Sequence, residues 1–505
     1  MAEAASTSTT RHTGVLVATC LSTLVVNANT SAVSILLPAI SADTGTSVDT
    51  LQWAVTGYSL MGAAVIITAG SLGDVFGRRR VFQLGLLLFV VSCVFIALAN
   101  SGTMVILGRV IQGAAGSTIL ACGLSLLTVA NTGQQQEQLR TVSLWGAAAA
   151  VGAAAGPLIG GLLVDLTGWQ GLFWIDAGVA IVCMLITAAA VSESRDPHRP
   201  RDIDYLGSVL VALTLSPIVL AMSKGSAWGW FSLATIGCLV VAVASGFAFV
   251  AVERRVAVPL LDLNLLRNRI LVGSTVAILI GAGTINGLMY LLSLYFQNPD
   301  ALGFSPFQAG LATLPATVGL VVIAPIVPRL AAKYGGRQVV ALGFLVTAAG
   351  FAVIGLTQPD WRYVAFLLPL IAIAVGMGMS NGPASSASTA SVDEAQVGSA
   401  SGVSNMARYV GAAVATALAA TINAAVITNR TDAGYSPAEG LASGLGAASW
   451  VMAGFSVAGV AMAVVMGRHH PPQGTLDDAA ASAAAVAHTL PTTASGTAGQ
   501  PAATR

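Results

Sequence analysis

An arginine interrupts an apolar stretch. Residues 103–130 contain Leu107-Gly108-Arg109-Val110-Ile111-Gln112-Gly113, and Arg109 is the one charge in that run. A guanidinium stays protonated. Placing a charge inside a membrane helix costs at least ~2.5 kcal/mol on insertion scales, so such a residue usually faces a polar pathway. Gln112 follows Arg109 by three positions, one helical turn away on the same side. A second set of polar groups lies in the first apolar run, residues 14–38. Asn27, Thr30, Ser31 and Ser34 are spaced 0, 3, 4 and 7, which puts them on one helical face, and Asn29 lies among them. Asn286 and Tyr290, one turn apart, and Asn381 offer hydrogen bonds from later runs, while Met377 and Met379 add adaptable apolar surface. These groups suit recognition of a small organic molecule rather than bond chemistry. The chain has no phosphate-binding loop, no nucleophile–base pair and no metal-ligand spacing among its five cysteines, each of which sits in an apolar run. No cofactor and no metal are expected.

Two other clusters concern backbone movement. Gly70-Ser71-Leu72-Gly73-Asp74-Val75-Phe76-Gly77-Arg78-Arg79-Arg80 joins two apolar runs. Gly77 permits a tight turn, and Asp74 suits a partner among the arginines or a helix N-terminus. Gly152, Gly156, Pro157, Gly160 and Gly161 lie in one run. Glycines four apart let helix backbones touch, and Pro157 removes a backbone bond and bends the helix. That face is expected to close or slide against the C-terminal half of the protein.

The elements that position these residues follow from composition. Hydrophobic residues make up 55% of the chain and charged residues 9%, against about 25% charged in soluble domains. Runs long enough for the ~20 apolar residues of a bilayer span occur near 14–38, 51–72, 81–99, 103–130, 141–163, 172–192, 206–223, 230–252, 270–296, 305–328, 338–357, 361–383, 399–425 and 447–467. Backbone groups in lipid must bond internally, so these runs predict helices. With a cytoplasmic N-terminus, sixteen Lys and Arg residues fall on the cytoplasmic side and three, Lys224, Arg362 and Arg430, on the other. That bias predicts both termini in the cytoplasm. A net charge of +1 gives no reason to expect nucleic acid. Residues 75–85, VFGRRRVFQLG, return in degenerate form at 333–343, KYGGRQVVALG. The two copies lie eight spans apart, so two six-helix halves with two extra helices between them are expected. The domains so read are a disordered tail 1–13, a first bundle 14–192, a linker 193–205, two inserted spans 206–252, a linker 253–269, a second bundle 270–467 and a disordered tail 468–505.

The loop at 70–80 resembles the GxLxDxxGRRR signature of the major facilitator superfamily. Arg109 with Gln112-Gly113 is similar to that family's fourth-span motif. Gly152-Ala-Ala-Ala-Gly156-Pro157-Leu-Ile-Gly160-Gly161 resembles its antiporter motif GxxxGPxxGG. Asn29 through Pro38, Gly168-Trp169 with Phe173, and Gly398 through Gly411 are similar to the fourteen-span drug:proton antiporter branch. The resemblance covers residues 14–467. It implies an all-α integral membrane fold of fourteen spans, with Asp74, Gly77, Arg78, Arg79 and the glycines of the fifth span gating the motion of the halves.

In one respect the chain departs from the branch. The first span usually carries Asp nine residues before its Pro, and here that residue is Asn29. An amide does not titrate. No Asp, Glu or His is expected in the middle of a span, and Asp176 is read as an interfacial group near the outer end. A cavity holding Arg109 with no opposing carboxylate is expected to favour neutral or anionic substrates over cations. The predicted function is export of small organic molecules across the plasma membrane by a monomeric, non-enzymatic carrier. Proton antiport is implied by the resemblance, and a metabolite importer or facilitator without proton coupling is the alternative.

Overall fold

The computed structural model describes residues 2–130, 135–195, 204–256, 259–261, 263–323, 326–392 and 397–465. The expected tail 468–505 and residues 196–203 of the first linker lie outside the described residues. Those described contain α-helices, turns and one short 3-10 segment, Leu263–Arg267, with no strand among them. The first six helices are α1 (Ala2–Thr44), α2 (Val48–Phe76), α3 (Arg78–Ala97), α4 (Gly102–Ala130), α5 (Gln135–Thr167) and α6 (Gln170–Ala190). Next come α7 (Tyr205–Trp228) and α8 (Leu233–Glu253). The remainder are α9 (Arg269–Gln297), α10 (Pro306–Ile323), α11 (Val327–Tyr334), α12 (Gly336–Ile354), α13 (Val364–Ala390), α14 (Val397–Asp432) and α15 (Pro437–Val465).

Among the described residues, 13 helices are long and apolar enough to cross a bilayer, and the shorter α10 corresponds to the remaining expected span. Three boundaries differ from expectation. α1 is helical from Ala2, so the helix begins inside the stretch expected to be a disordered tail. α15 starts at Pro437, ten residues before the apolar run at 447. The run expected over 305–328 is broken: α10 ends at Ile323 and a short helix, α11, follows. Proline lacks a backbone donor, a loss that costs nothing in the first turn of a helix, and Pro328 stands there at the start of α11. α11 carries Arg329 and Lys333, which suits a helix lying along a membrane surface.

Large apolar side chains point outward from many helices, including Leu84, Leu87 and Val91 of α3 and Val240, Val243 and Phe247 of α8. In water such a belt would be an aggregation surface; in lipid it is the solvated face. α1 packs on α4, α5 and α6, α4 packs on α2 and α3, and α3 reaches α6. These six form one half. In the other, α9 packs on α13, α14 and α15, α12 on α13 and α15, and α10 on α13. The halves meet along α2–α14, α5–α10 and α1–α9, and the α7–α8 hairpin lies against α2 and α14. We call the face where α1 ends and α2 begins distal, and the face where α2 ends and α3 begins proximal.

The internal repeat has a structural counterpart. Gly77 has φ 113° and separates α2 from α3; Gly335 has φ 87° and separates α11 from α12. A side chain is strained at such angles, which is why glycine stands at the same place in both copies.

Candidate functional site

Arg109 is fully buried among helices of the first half. α4 delivers it beside α1 and α2. Its Nε donates to the Ala54 carbonyl of α2 at 3.1 Å and its Nη1 to Asn29 Oδ1 of α1 at 2.5 Å. Nη1 also donates to Gln112 Oε1, one turn along α4. The guanidinium carbon lies 4.2 Å from the Tyr58 ring centroid, a separation at which the ring face attracts a cation. Gln112 in turn donates to Cys93 Sγ of α3 at 3.0 Å. A single cation thus ties three helices together, with Gln112 adding α3.

The site contains a carboxylate that the sequence reading placed elsewhere. Asn29 Nδ2 donates to Asp176 Oδ2 at 2.6 Å, and Asp176 is only 5% exposed. Asn29 therefore uses both ends of its amide, accepting from Arg109 and donating to Asp176. The expectation that no carboxylate opposes Arg109 is corrected by this contact. Asp176 is six residues into α6, about 9 Å from its start at 1.5 Å per residue. It is no surface-level group. Asp176 immediately follows the apolar Leu172-Phe173-Trp174-Ile175, and that run was the one available sign of its depth.

The polar row of α1 divides between neighbours rather than lining one open face. Asn27, Thr30 and Ser31 are half-buried and bond to carbonyls of their own helix: Asn27 to Thr23, Thr30 to Val26, and Ser31 to Asn27 and Ala28. Thr30 and Tyr409 lie beside the Tyr58 hydroxyl, while Ser31 lies against Gly156 of α5. Ser34 is buried, and its carbonyl accepts from Ser293 Oγ of α9. In the second half, Asn286 donates to the Ala282 carbonyl at 2.8 Å. Asn381 lies against Gly281, and the Thr284 hydroxyl is 3.6 Å from Met377 Sδ. Tyr290 is fully buried with no hydrogen bond to its hydroxyl. It belongs to the packed interior rather than to a row with Asn286.

The glycines of α5 work on two faces. A Cβ on Gly152 would overlap the Leu24 carbonyl oxygen and one on Gly156 the Ala28 carbonyl oxygen, while at Gly160 it would stand 2.9 Å from Ala32 and Leu36 side-chain carbons. These three face α1, inside the same half. A Cβ on Gly161 would overlap the Pro306 carbonyl oxygen, and Gly310 of α10 meets the Pro157 carbonyl oxygen in the same way. The expectation that the whole motif meets the opposite half is therefore corrected: Pro157 and Gly161 do so, and the four-residue glycine ridge does not. Two further bonds join the halves at the distal face, Ser293 Oγ to the Ser34 carbonyl and Gln297 Nε2 to the Ile35 carbonyl at 3.0 Å.

At the proximal face Asp74 Oδ1 accepts from Arg78 Nε at 3.0 Å and Nη2 at 2.8 Å. Arg79 donates to the Ala188 carbonyl at the end of α6. Glu193, which the sequence reading passed over, accepts from the backbone nitrogens of Arg79 at 3.1 Å and Arg80 at 3.2 Å. A carboxylate at the first turn of α3 satisfies otherwise orphaned donors and opposes the helix dipole. Its side chain occupies the space beside Gly77, 2.6 Å from where a Cβ would stand. The signal was an acid just past the last residue of an apolar run.

A sequence profile of the Major Facilitator Superfamily matches residues 19–416. The chain is 31% identical to the tetracenomycin C resistance and export protein of Streptomyces glaucescens over 414 residues, covering 80% of this chain and 74% of that protein. It is 30% identical to the multidrug efflux pump LfrA of Mycolicibacterium smegmatis over 430 residues, covering 85% and 84%. In fold it is similar to a bacterial homologue of the lysosomal transporter Spinster, with a TM-score of 0.65, 15% identity and coverage of 92% of this chain and 99% of that one. A peptide transporter crystallised with sulfate gives a TM-score of 0.65 at 15% identity, covering 90% and 96%. With the profile spanning most of the described helices and the packing reproducing two six-helix halves, this chain belongs to the major facilitator superfamily and is a multi-pass membrane transporter.

Proposed function

We propose that this transporter exports small organic molecules across the plasma membrane by alternating access, driven by protons moving inward, with both termini in the cytoplasm. The observation that carries the reading is the distal seam. There the halves meet on bare backbone, Gly161 against Pro306 and Gly310 against Pro157, with two side-chain-to-carbonyl bonds from Ser293 and Gln297. Net hydrogen bonds of this kind contribute about 0.5–1.5 kcal/mol each, so the seam can part and re-form. The Asp74–Arg78 pair spans the α2–α3 turn, and the Arg79 bond to the Ala188 carbonyl together with Glu193 holds that turn to the end of α6 and the residues after it, which suits rigid-body rocking. One chain supplies both halves, so a monomer is sufficient.

The substrate class follows from the groups near the seam. Arg109 and Asp176 sum to zero charge, which removes the ground for an anion preference. Asn27, Thr30, Asn286 and Asn381 are uncharged, and Asn381 lies with Met377 against Gly281. Neutral amphipathic molecules fit this chemistry. Uptake of a metabolite is the weaker reading, because the curated relatives carry export and efflux names.

A pump-deficient bacterial host with and without the gene tests the proposal. Raised resistance to at least one of tetracycline, puromycin and ethidium is expected, together with lower drug accumulation that a protonophore reverses. Unchanged susceptibility to every drug, with drug or metabolite uptake that ignores the protonophore, would overturn it.

A further inference from the structure

The first span of this chain lacks the carboxylate expected there, and Asn29 occupies the position. The structure puts a carboxylate directly on the Asn29 amide from the facing helix, Asp176 Oδ2 at 2.6 Å, with Arg109 at the other end of that amide. From the Asp176–Asn29–Arg109 arrangement we infer that Asp176 of α6 takes up and releases the transported proton, the carboxyl having moved across the α1–α6 contact while keeping its link to Arg109. This inference rests on the proton-driven export proposed above.

The surroundings fit that role. The titratable and charged groups facing Asp176 are Arg109 of α4 and the Cys93 thiol of α3. α1 presents the Asn29 amide. On α5, which also packs on α6, Asp165 is turned to Ser305 instead, with its Oδ2 3.4 Å from Oγ. Asp176 lies on the distal side of α6. When the Gly161–Pro306 seam opens, that side faces the compartment from which protons enter. The proton adds to a carboxylate oxygen of Asp176, and no other bond breaks. Deprotonated, Asp176 accepts a charge-assisted bond from Asn29, a stronger contact than a neutral carboxyl makes. Protonation leaves Arg109 as an uncompensated buried cation, an unfavourable arrangement that favours a conformation in which the proton leaves. Arg109 also lies over Tyr58, and Tyr58 faces Tyr409 of the other half. A change of charge at Asp176 therefore reaches the boundary between the halves through Asn29, Arg109 and Tyr58.

The test uses the full-length protein in inverted membrane vesicles, with whichever of tetracycline, puromycin or ethidium the wild type transports. Asp176→Asn is expected to lower gradient-driven transport on the order of a hundredfold, the contribution of a positioned proton-transfer group. Asn29→Asp/Asp176→Asn, which returns the carboxyl to α1, is expected to recover most of it. Where Asp176→Asn fails to reach the membrane, Asp176→Glu replaces it, and a shifted pH midpoint of transport is expected. In parallel, infrared difference spectra between acid and alkaline pH are expected to show a carboxylic C=O band in the wild type, its loss in Asp176→Asn and its return in the double variant. Wild-type-level driven transport in Asp176→Asn, an unmoved midpoint in Asp176→Glu, or a double variant no better than the single one would overturn the inference. Wild-type export that ignores a protonophore would overturn the proposed function itself, a result distinguishable from all three.

Discussion

Tyr58 of α2 and Tyr409 of α14 stand face to tilted face across the two halves, with ring centroids 6.4 Å apart and planes at 51°. Gly62, one turn along α2, leaves the room: a Cβ there would stand 2.7 Å from the Tyr409 ring. The Arg109 guanidinium lies against the same Tyr58. The most heavily bonded buried charge of the first half therefore abuts the boundary with the second.

That placement predicts how Arg109 variants behave. Arg109→Lys keeps the charge but not the planar fork that serves Ala54, Asn29 and Gln112 together. Export is expected to fall at least tenfold, about 1.4 kcal/mol of lost coupling, with the protein still folded. Arg109→Ala also strips Asp176 of its counter-charge, and removing one partner of a buried pair costs about 3–5 kcal/mol. A lower unfolding temperature in detergent is expected for Ala than for Lys. Equal stability of the two variants would contradict the pairing.

The two faces of α5 predict two different phenotypes from similar substitutions. Gly161→Leu inserts a side chain between α5 and the Pro306 backbone, so it is expected to hold the distal seam open. Cysteine-labelling at distal positions should rise and transport should fail, with little loss of thermal stability. Gly156→Leu collides with the Ala28 backbone inside the first half. It is expected to destabilise that half by several kcal/mol, beyond the ~1–3 kcal/mol typical of overpacking, because backbone cannot yield. If both variants show the same labelling pattern, the division between faces is wrong.

Gln297 and Ser293 of α9 predict a graded effect. Gln297→Ala removes a bond of about 0.5–1.5 kcal/mol from the closed distal face. The distal-open population is then expected to rise about two- to tenfold, readable as faster distal cysteine labelling. Ser293→Ala should act in the same direction, and the pair should be close to additive only if the two bonds are independent. Their shared contact at 3.0 Å predicts a shortfall.

Glu193→Gln keeps the shape of the cap on α3 but removes its charge and the exposed 3.6 Å pairing with Arg80. A loss of about 1 kcal/mol is expected from the helix terminus, with the exposed ion pair adding little. Glu193→Ala should cost more and loosen the proximal loop, which hydrogen exchange at Arg79 and Arg80 would report. Unchanged exchange would remove Glu193 from the hinge.

Much of the fold was legible in the chain because apolar length is a one-dimensional signal. Fourteen runs, a basic loop bias and a doubled glycine-arginine turn need no tertiary contact to be seen. Arg109 and Gln112 were legible for the same reason. Asp176 was not, because its position near one end of a run says nothing of the neighbours that cover it; Thr44 ends α1 beyond the apolar run, and the longer helix deepens that end of the bundle. The split of α5 was in the sequence: 152, 156 and 160 share a face, and 157 and 161 fall one residue, about 100°, around the helix. Reading the motif as a unit concealed it. The start of α11 was also written, in Pro328, but mean apolarity masked it.

The inserted hairpin is fastened at both ends to different partners. Near the proximal face Ser208 Oγ of α7 is 2.5 Å from Thr68 Oγ1 of α2, and near the distal face the Met222 carbonyl of α7 accepts from Thr421 of α14 at 3.0 Å. α7 is thus a tie rod, pinned to one bundle below and to the other above. Any change in the angle between the bundles must lean this rod or unpin one end, so the two additional spans set a mechanical limit on stroke that a twelve-span relative of the same design would lack.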